Sequence, residues 1–137
     1  MTREDKQLLL KDLCARLPHG VVCYAFQFKI DGNHCECRGK LTGINNGYFY
    51  LSDREPVNGG KTYDESYLEV KPYLRSMSSM TEEEKKEVHY FVESHKLGSC
   101  SRSGAISDYL NSIHIDYRGL IEKGLALEAP EGMYSKN

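Results

Sequence analysis

No stretch of this chain approaches the roughly 20 consecutive apolar residues that a helix needs to cross a bilayer, so membrane insertion is not expected. An excess of one sign of charge is missing as well, with 18 Lys and Arg against 20 Asp and Glu for a formal net charge of −2. That balance argues against a protein held to nucleic acid or anionic lipid mainly by bulk charge, while leaving room for local basic patches. The five cysteines, at positions 14, 23, 35, 37 and 100, lack the even number and spacing of a disulfide framework. Met1 to Asp5 lack the apolar core of a signal peptide, and a reducing cytoplasm is the expected setting. Internal repeats and low-complexity tracts are absent too. What remains is 137 residues, about one domain, enough to bury a core without metal or disulfide staples.

The strongest positive signal runs from Val22 to Leu51, where two β-hairpins are expected. A two-residue loop at Gly32-Asn33 sets Asp31 against His34. Ile30 then faces Cys35, Phe28 faces Cys37, Phe26 faces Gly39 and Tyr24 faces Leu41, while Lys29 meets Glu36 on the other side. A one-residue slip would put Phe28 against Glu36, so hydrophobic agreement selects this register. For the second hairpin, a three-residue loop Asn45-Asn46-Gly47 places Leu51 beside Leu41 and Phe49 beside Gly43, on the same oily face. Arg38, Lys40, Thr42, Tyr48 and Tyr50 fall on the opposite face.

Around this meander, Thr2 with Asp5 has the form of a capping box, and Leu10, Leu13 and Leu17 recur at helical spacing, predicting a helix over about 3–16. Asp53 to Asp64 reads as a turn-rich loop. Tyr67 to Tyr73 reads as a fourth strand, confined by Pro72 to an edge or an end. Thr81 with Glu84 makes a second capping box, followed by Val88, Phe91, Val92 and His95, for a helix over about 82–95. The Gly98–Gly104 stretch breaks it, and Ile106, Tyr109, Leu110 and Ile113 mark a third helix. Leu120 and Ile121 suit a helical turn ending at Gly124, and Leu125 to Leu127 a small strand. The expected fold class is therefore α+β: a three- or four-stranded antiparallel meander, with an N-terminal helix and two helices of the C-terminal half packed on its apolar face. Residues 1–130 form the single domain and 131–137 a tail.

Several patterns invite chemistry. His34, Cys35 and Cys37 carry zinc-ligand atoms, yet strand alternation points both cysteines into the core and His34 away, with Cys23 on the opposite face of its own strand, so small core residues are the better reading. Gly60-Lys61-Thr62 ends like a phosphate-binding loop, but Glu55 stands where the first glycine belongs and no apolar helix pattern follows. Gly98 to Gly104 leads into a helix N-terminus with Arg102 nearby, where Ser101 or Ser103 serves more simply as a cap. Cys100 with His114 or His95, oriented by Asp116, would make a thiol nucleophile pair. Glu82 to Glu87 is a solvated first turn with acids where the helix dipole favours them. No cofactor signature stands out, and metal ligands are not expected.

The outer face of the meander has the most distinctive composition. Arg38 and Lys40 near Tyr48 and Tyr50, with Arg54 behind, combine cations and sheet-borne aromatics in the way single-stranded RNA or DNA is neutralised and stacked. Gly47 to Leu51 overlaps part of an RRM signature but lacks its leading basic residue, and the order of elements is not that of an RRM.

Two segments, VKPYLRSMSSMTEEE over Val70–Glu84 and YRGLIEKGLALEAP over Tyr117–Pro130, resemble a family of small proteins of unassigned function from gut-bacterial genomes, prophages and mobile elements. The looser match covers roughly the C-terminal half. Where such proteins often carry Trp-Leu-Asn-Ala-His-His, this chain has Tyr109-Leu110-Asn111-Ser112-Ile113-His114. The resemblance implies a cytoplasmic accessory protein of mobile DNA and no particular activity. The resulting expectation is a non-enzymatic protein-binding or regulatory module acting on a protein partner or a second copy of itself. The alternatives are single-strand nucleic-acid binding through Arg38, Lys40, Tyr48 and Tyr50, and a cysteine-dependent enzyme.

Overall fold

The computed structural model describes residues 2–28, 34–57, 66–96 and 102–134. The chain order is α1 (Arg3–Arg16), β1 (Val22–Phe28), β2 (His34–Asn45), β3 (Tyr48–Pro56), β4 (Ser66–Tyr67), β5 (Val70–Leu74), α2 (Glu82–Lys96), α3 (Arg102–Ser112) and β6 (Leu127–Glu128), with single 3-10 turns at Leu17–His19 and Met77–Ser79. The six strands form one open sheet in the order β4-β3-β2-β1-β5-β6. All neighbours are antiparallel except β5 and β6. The fold is thus α+β, with a mixed sheet wider than the expected meander. No helix among the described residues is long and apolar enough to cross a membrane.

Local chemistry explains the helix ends. Thr2 Oγ1 accepts from the Asp5 amide at 3.1 Å and Asp5 Oδ2 accepts from the Thr2 amide at 3.3 Å, a reciprocal cap that satisfies two orphan donors. Thr81 and Glu84 repeat the arrangement at 3.1 and 2.8 Å. The buried stripe of α1 is Leu9, Asp12, Leu13 and Arg16, whereas Leu10, expected inside, is 44% exposed.

The first hairpin corrects the expected register. Phe28 pairs with His34, Phe26 with Glu36, Ala25 with Cys37 and Cys23 with Gly39. The whole pairing is shifted by three residues, and an odd shift exchanges the two faces of β1. Val21, Cys23 and Ala25 therefore enter the core beside Cys35, Cys37 and Leu41, while Phe26 is exposed on the other side. Cys23 shares the interior with Cys35 and Cys37 instead of facing away. The Gly32-Asn33 turn itself lies outside the described residues.

Volume accounts for the exchange. Tyr67, fully buried, reaches over β2 so that its hydroxyl contacts Cys35 Sγ at 3.3 Å and Cys37 Sγ at 3.2 Å. Leu9 and Leu13 fill the same core from α1. Phenyl rings at 26 and 28 would compete for that space, and close-packed interiors tolerate little excess volume. Small residues on β1 fit.

In the second hairpin, Asn46 and Gly47 both take positive φ, 52° and 80°, which makes a two-residue type I′ turn in place of the three-residue loop. Asn45 pairs with Tyr48, Ile44 with Phe49 and Gly43 with Tyr50. A bulge at Thr42 then restores Leu41 opposite Leu51, so the expected core pair forms by another route. A second irregularity gives β3 one extra residue between Ser52 and Glu55, where Asp53 adopts φ 52°. Gly39 lies opposite it, and a Cβ there would sit 2.7 Å from the Ser52 carbonyl oxygen, closer than side-chain carbons approach.

The expected fourth strand divides in two. Ser66 and Tyr67 pair with β3 at one edge of the sheet, while Val70–Leu74 pairs with β1 on the other side, leaving Leu68 60% exposed between them. β5 is not an edge strand. Pro72 faces Cys23 on β1, and β6 reaches only Tyr73 and Leu74, so Pro72 has a ladder on one side alone. β3 continues through Pro56, into the stretch read as loop.

The core lies between one sheet face, Leu9 and Leu13 of α1, and Leu120, Leu125 and Ala126. No described residue of α2 belongs to it, and α3 adds only Leu110 and Asn111 of its last turn, buried where it meets α1, which corrects the expectation that both helices pack on the apolar face. The two helices pack chiefly on each other, with Phe91 and Tyr109 centroids 5.8 Å apart. The first residues of the segment read as a tail form a turn at 131–134, and the Tyr134 hydroxyl accepts from the Val22 amide at 3.0 Å and donates to the Tyr73 carbonyl at 2.7 Å.

Candidate functional site

Alternation along β2 and β3 puts Arg38, Lys40, Tyr48 and Tyr50 on one face of the sheet, opposite Leu41 and Leu51. Tyr48 and Tyr50 are 41% and 37% exposed. The four residues share the face without converging. Lys40 pairs with Ser52 and Asn45 with Tyr48, so Arg38 and Tyr48 lie at opposite ends of a ladder about 20 Å long. Arg38 Nε donates to Glu55 at 3.3 Å, and the Lys40 stem lies against Gly20. A shallow pocket beside this cation pair also holds Asp53, Glu55 and Glu131. The neighbouring Tyr24 hydroxyl donates to Glu36 across the strands. Burial and then that carboxylate push the Tyr24 phenol above its usual range. Charge on this face is balanced rather than positive.

A second place where elements converge was not visible as a motif. Arg75, just past β5, exchanges backbone hydrogen bonds with the segment that follows α3: its amide donates to the His114 carbonyl at 2.7 Å and its carbonyl accepts from the Asp116 amide at 2.8 Å. Its guanidinium makes a bidentate pair with Glu84, at 2.8 and 2.7 Å, and also donates to the carbonyls of Ile113 and Ser79. The side chain that caps α2 therefore also clamps the sheet to both helices. The Arg75 guanidinium holds the Glu84 carboxyl at about 2, well below the usual carboxylate range. Only the Thr81–Glu84 half of this junction was readable in advance.

Around Arg75 opens a groove of about 1240 Å³, walled by the start of α2, the end of α3 and residues 128–134. His114 forms part of its wall with only 7% exposure, φ 62° and a ring stacked on Tyr134 at 3.8 Å between centroids. Its Nδ1 has no hydrogen-bond partner among the described residues. Burial, with Arg16, His19 and Arg75 adding to it, pushes the imidazole down to about 4, so it is neutral near pH 7.

Of the thiol-nucleophile arrangement, only the His114 and Asp116 positions fall within the described residues. Asp116 does not orient the imidazole, because its two oxygens accept from the amides of Leu120 and Ile121, both at 2.9 Å, and cap the turn that begins there. Cys100 lies outside the described residues, as do Gly60-Lys61-Thr62 and Gly98 to Ser101. Burial raises the Cys23 and Cys37 thiols, disfavouring the thiolate a nucleophile needs. Among the described residues no three His, Cys, Asp or Glu come together as a metal ion would require.

A buried charge cluster joins α1 to the C-terminal segment. Asp12 accepts from Arg16 Nε at 2.9 Å and from Arg118 Nη1 at 2.7 Å, and Arg16 Nη2 donates to the Ile115 carbonyl at 2.6 Å. The Tyr117 ring lies beside both guanidinium groups, 5.6 Å from Arg16 and 4.4 Å from Arg118. Helical spacing of Asp12 and Arg16 was the available signal, but Arg118 is 106 residues away from Asp12. No protein-family model, curated protein or solved structure matches the chain.

Proposed function

We propose that the chain is a non-enzymatic protein-binding or regulatory module, an accessory protein of a phage or other mobile element acting in the cytoplasm. The observation that carries the binding half is α2. None of its described side chains, 82–93, is buried. Val88 and Phe91 are half-covered, Val92 is 37% exposed and Tyr90 is 64% exposed. Beyond the Arg75–Glu84 anchor the helix rests on α3 and adds no described residue to the core. A helix normally earns its stability by burying an apolar stripe, so apolar side chains left accessible suit a protein partner. The mobile-element half is supported by the resemblance of Val70–Glu84 and Tyr117–Pro130 alone.

Tyr90→Lys combined with Val92→Glu tests the binding half. Both positions are exposed, so folding stability should change by only about 0.5 kcal/mol or less. Immobilised wild-type chain is expected to retain a partner from host extract that the double variant releases. Identical retained sets, or none, overturn the reading. Genes flanking the coding sequence check the second half, a housekeeping operon being the contrary result.

The exposure of Tyr48 and Tyr50 keeps single-strand nucleic-acid binding as a second reading. Fluorescence titration with labelled oligonucleotides at two salt concentrations decides it, because a binder that neutralises phosphates must weaken as salt rises. Absence of binding at low salt removes it.

A further inference from the structure

We propose that the groove beside Arg75 receives a basic segment of the partner protein, a stretch carrying several Lys or Arg side chains. This rests on the protein-binding reading above and gives that reading a second contact and a partner chemistry. Glu83 and Glu87 come from α2, while Glu128 and Glu131 come from the segment that starts at β6, so the two acidic pairs line one groove from separate walls. The helix dipole accounts for acids in the first turns of α2. It does not account for Glu128 and Glu131.

None of these four carboxylates has a cationic partner among the described residues, because Arg75 is committed to Glu84. Like charges gathered in one groove repel unless a cation comes between them. His114 adds an independent sign: it belongs to the groove wall, is 93% buried, and its Nδ1 lacks a partner among the described residues. In the neutral tautomer that carries its proton on Nε2, that nitrogen is an acceptor, the same polarity as the carboxylates. Tyr109 and Tyr134 are also part of the wall. The acids are too dispersed to chelate one metal ion among the described residues, which favours a chain with spaced cations.

The probe is a fluorescein-labelled peptide of alternating Lys and Gly, titrated against the full chain by anisotropy at low and moderate salt. Saturable binding is expected, weakened by about ten-fold or more in the triple variant Glu87→Gln, Glu128→Gln, Glu131→Gln. These residues are exposed and leave the Thr81–Glu84–Arg75 junction intact, so the variant should fold. A control triple variant of equal charge change, Glu4→Gln, Glu69→Gln, Glu122→Gln, should bind as wild type does. Equal weakening in both triples would mean bulk charge, and no saturable binding by wild type would mean no such site. Either result overturns the groove assignment. If the peptide fails while the Tyr90/Val92 double variant still loses its partner, protein binding stands and only the groove falls.

Discussion

Asp12→Ala is expected to lower the free energy of unfolding by about 3–5 kcal/mol, because it leaves cations buried without their counter-charge. Asp12 and Arg16 are both fully buried, and Arg118 is 14% exposed. Two guanidinium groups share this one carboxylate, and the backbone carbonyl of Ile115 and the Tyr117 ring cannot replace a full negative charge. In urea the midpoint should fall with little change in slope, and the thermal midpoint should drop by about 10–15 °C for a domain of this size. A loss below about 1 kcal/mol would show that water reaches the cluster and solvates the cations. Asp12→Leu with Arg16→Met separates the causes. Removing both buried charges should recover much of the loss, since an apolar pair of similar volume is often as stable as a buried ion pair, and Arg118 can turn outward.

Lowering the pH from about 6.5 to 4 should destabilise the protein by about 3 kcal/mol through His114 alone. The sign follows from the direction of the shift. Burial first, then Arg16, His19 and Arg75, hold the native imidazole at about 4, against 6.5 for an unperturbed histidine. Between those values the unfolded chain takes up a proton that the native state refuses, so stability is full above pH 6.5 and declines until pH has fallen through about 4. Glu84 adds to the decline at still lower pH. Its carboxyl is depressed to about 2 by Arg75, so its contribution is present above the unfolded carboxylate range and disappears as pH drops through 2. His114→Asn keeps a residue type tolerant of φ 62° while removing the titrating ring. Urea midpoints measured across this range should lose their slope between pH 6.5 and 4 in the variant, on a lower plateau because the stack with Tyr134 is gone. An unchanged slope would exclude His114 as the source.

The candidate functional surfaces were legible in proportion to how local they are. Arg38, Lys40, Tyr48 and Tyr50 were placed on one face by alternation within single strands, and they lie on one face even though the register of the first hairpin and the turn of the second differ from expectation. The bulge at Thr42 offsets the shorter turn. The groove was not legible, because its walls are separated in sequence by about 15 to 45 residues and meet only in the folded chain, through Arg75, the Phe91–Tyr109 contact and the His114–Tyr134 stack. Glu82 to Glu87 looked like an ordinary solvated turn, and nothing in that run shows that Glu128 and Glu131 stand across from it.

By itself the sequence determined what depends on neighbours within a few residues. Thr2–Asp5 and Thr81–Glu84 start two helices where their side chains reach back to free amides, and α1 spans Arg3–Arg16 as its spacing predicts. Asn46-Gly47 turns because both residues accept positive φ. Tertiary structure decided which side of β1 is inside, because Phe26 and Ala25 satisfy the strand backbone equally well and only the volume already taken by Tyr67, Leu9 and Leu13 discriminates between them. It also split Ser66–Leu74 between opposite sides of the sheet and left α2 on α3 instead of on the core. Burial is a property of the assembled layers, and alternation along one strand identifies two faces without saying which one meets the helix.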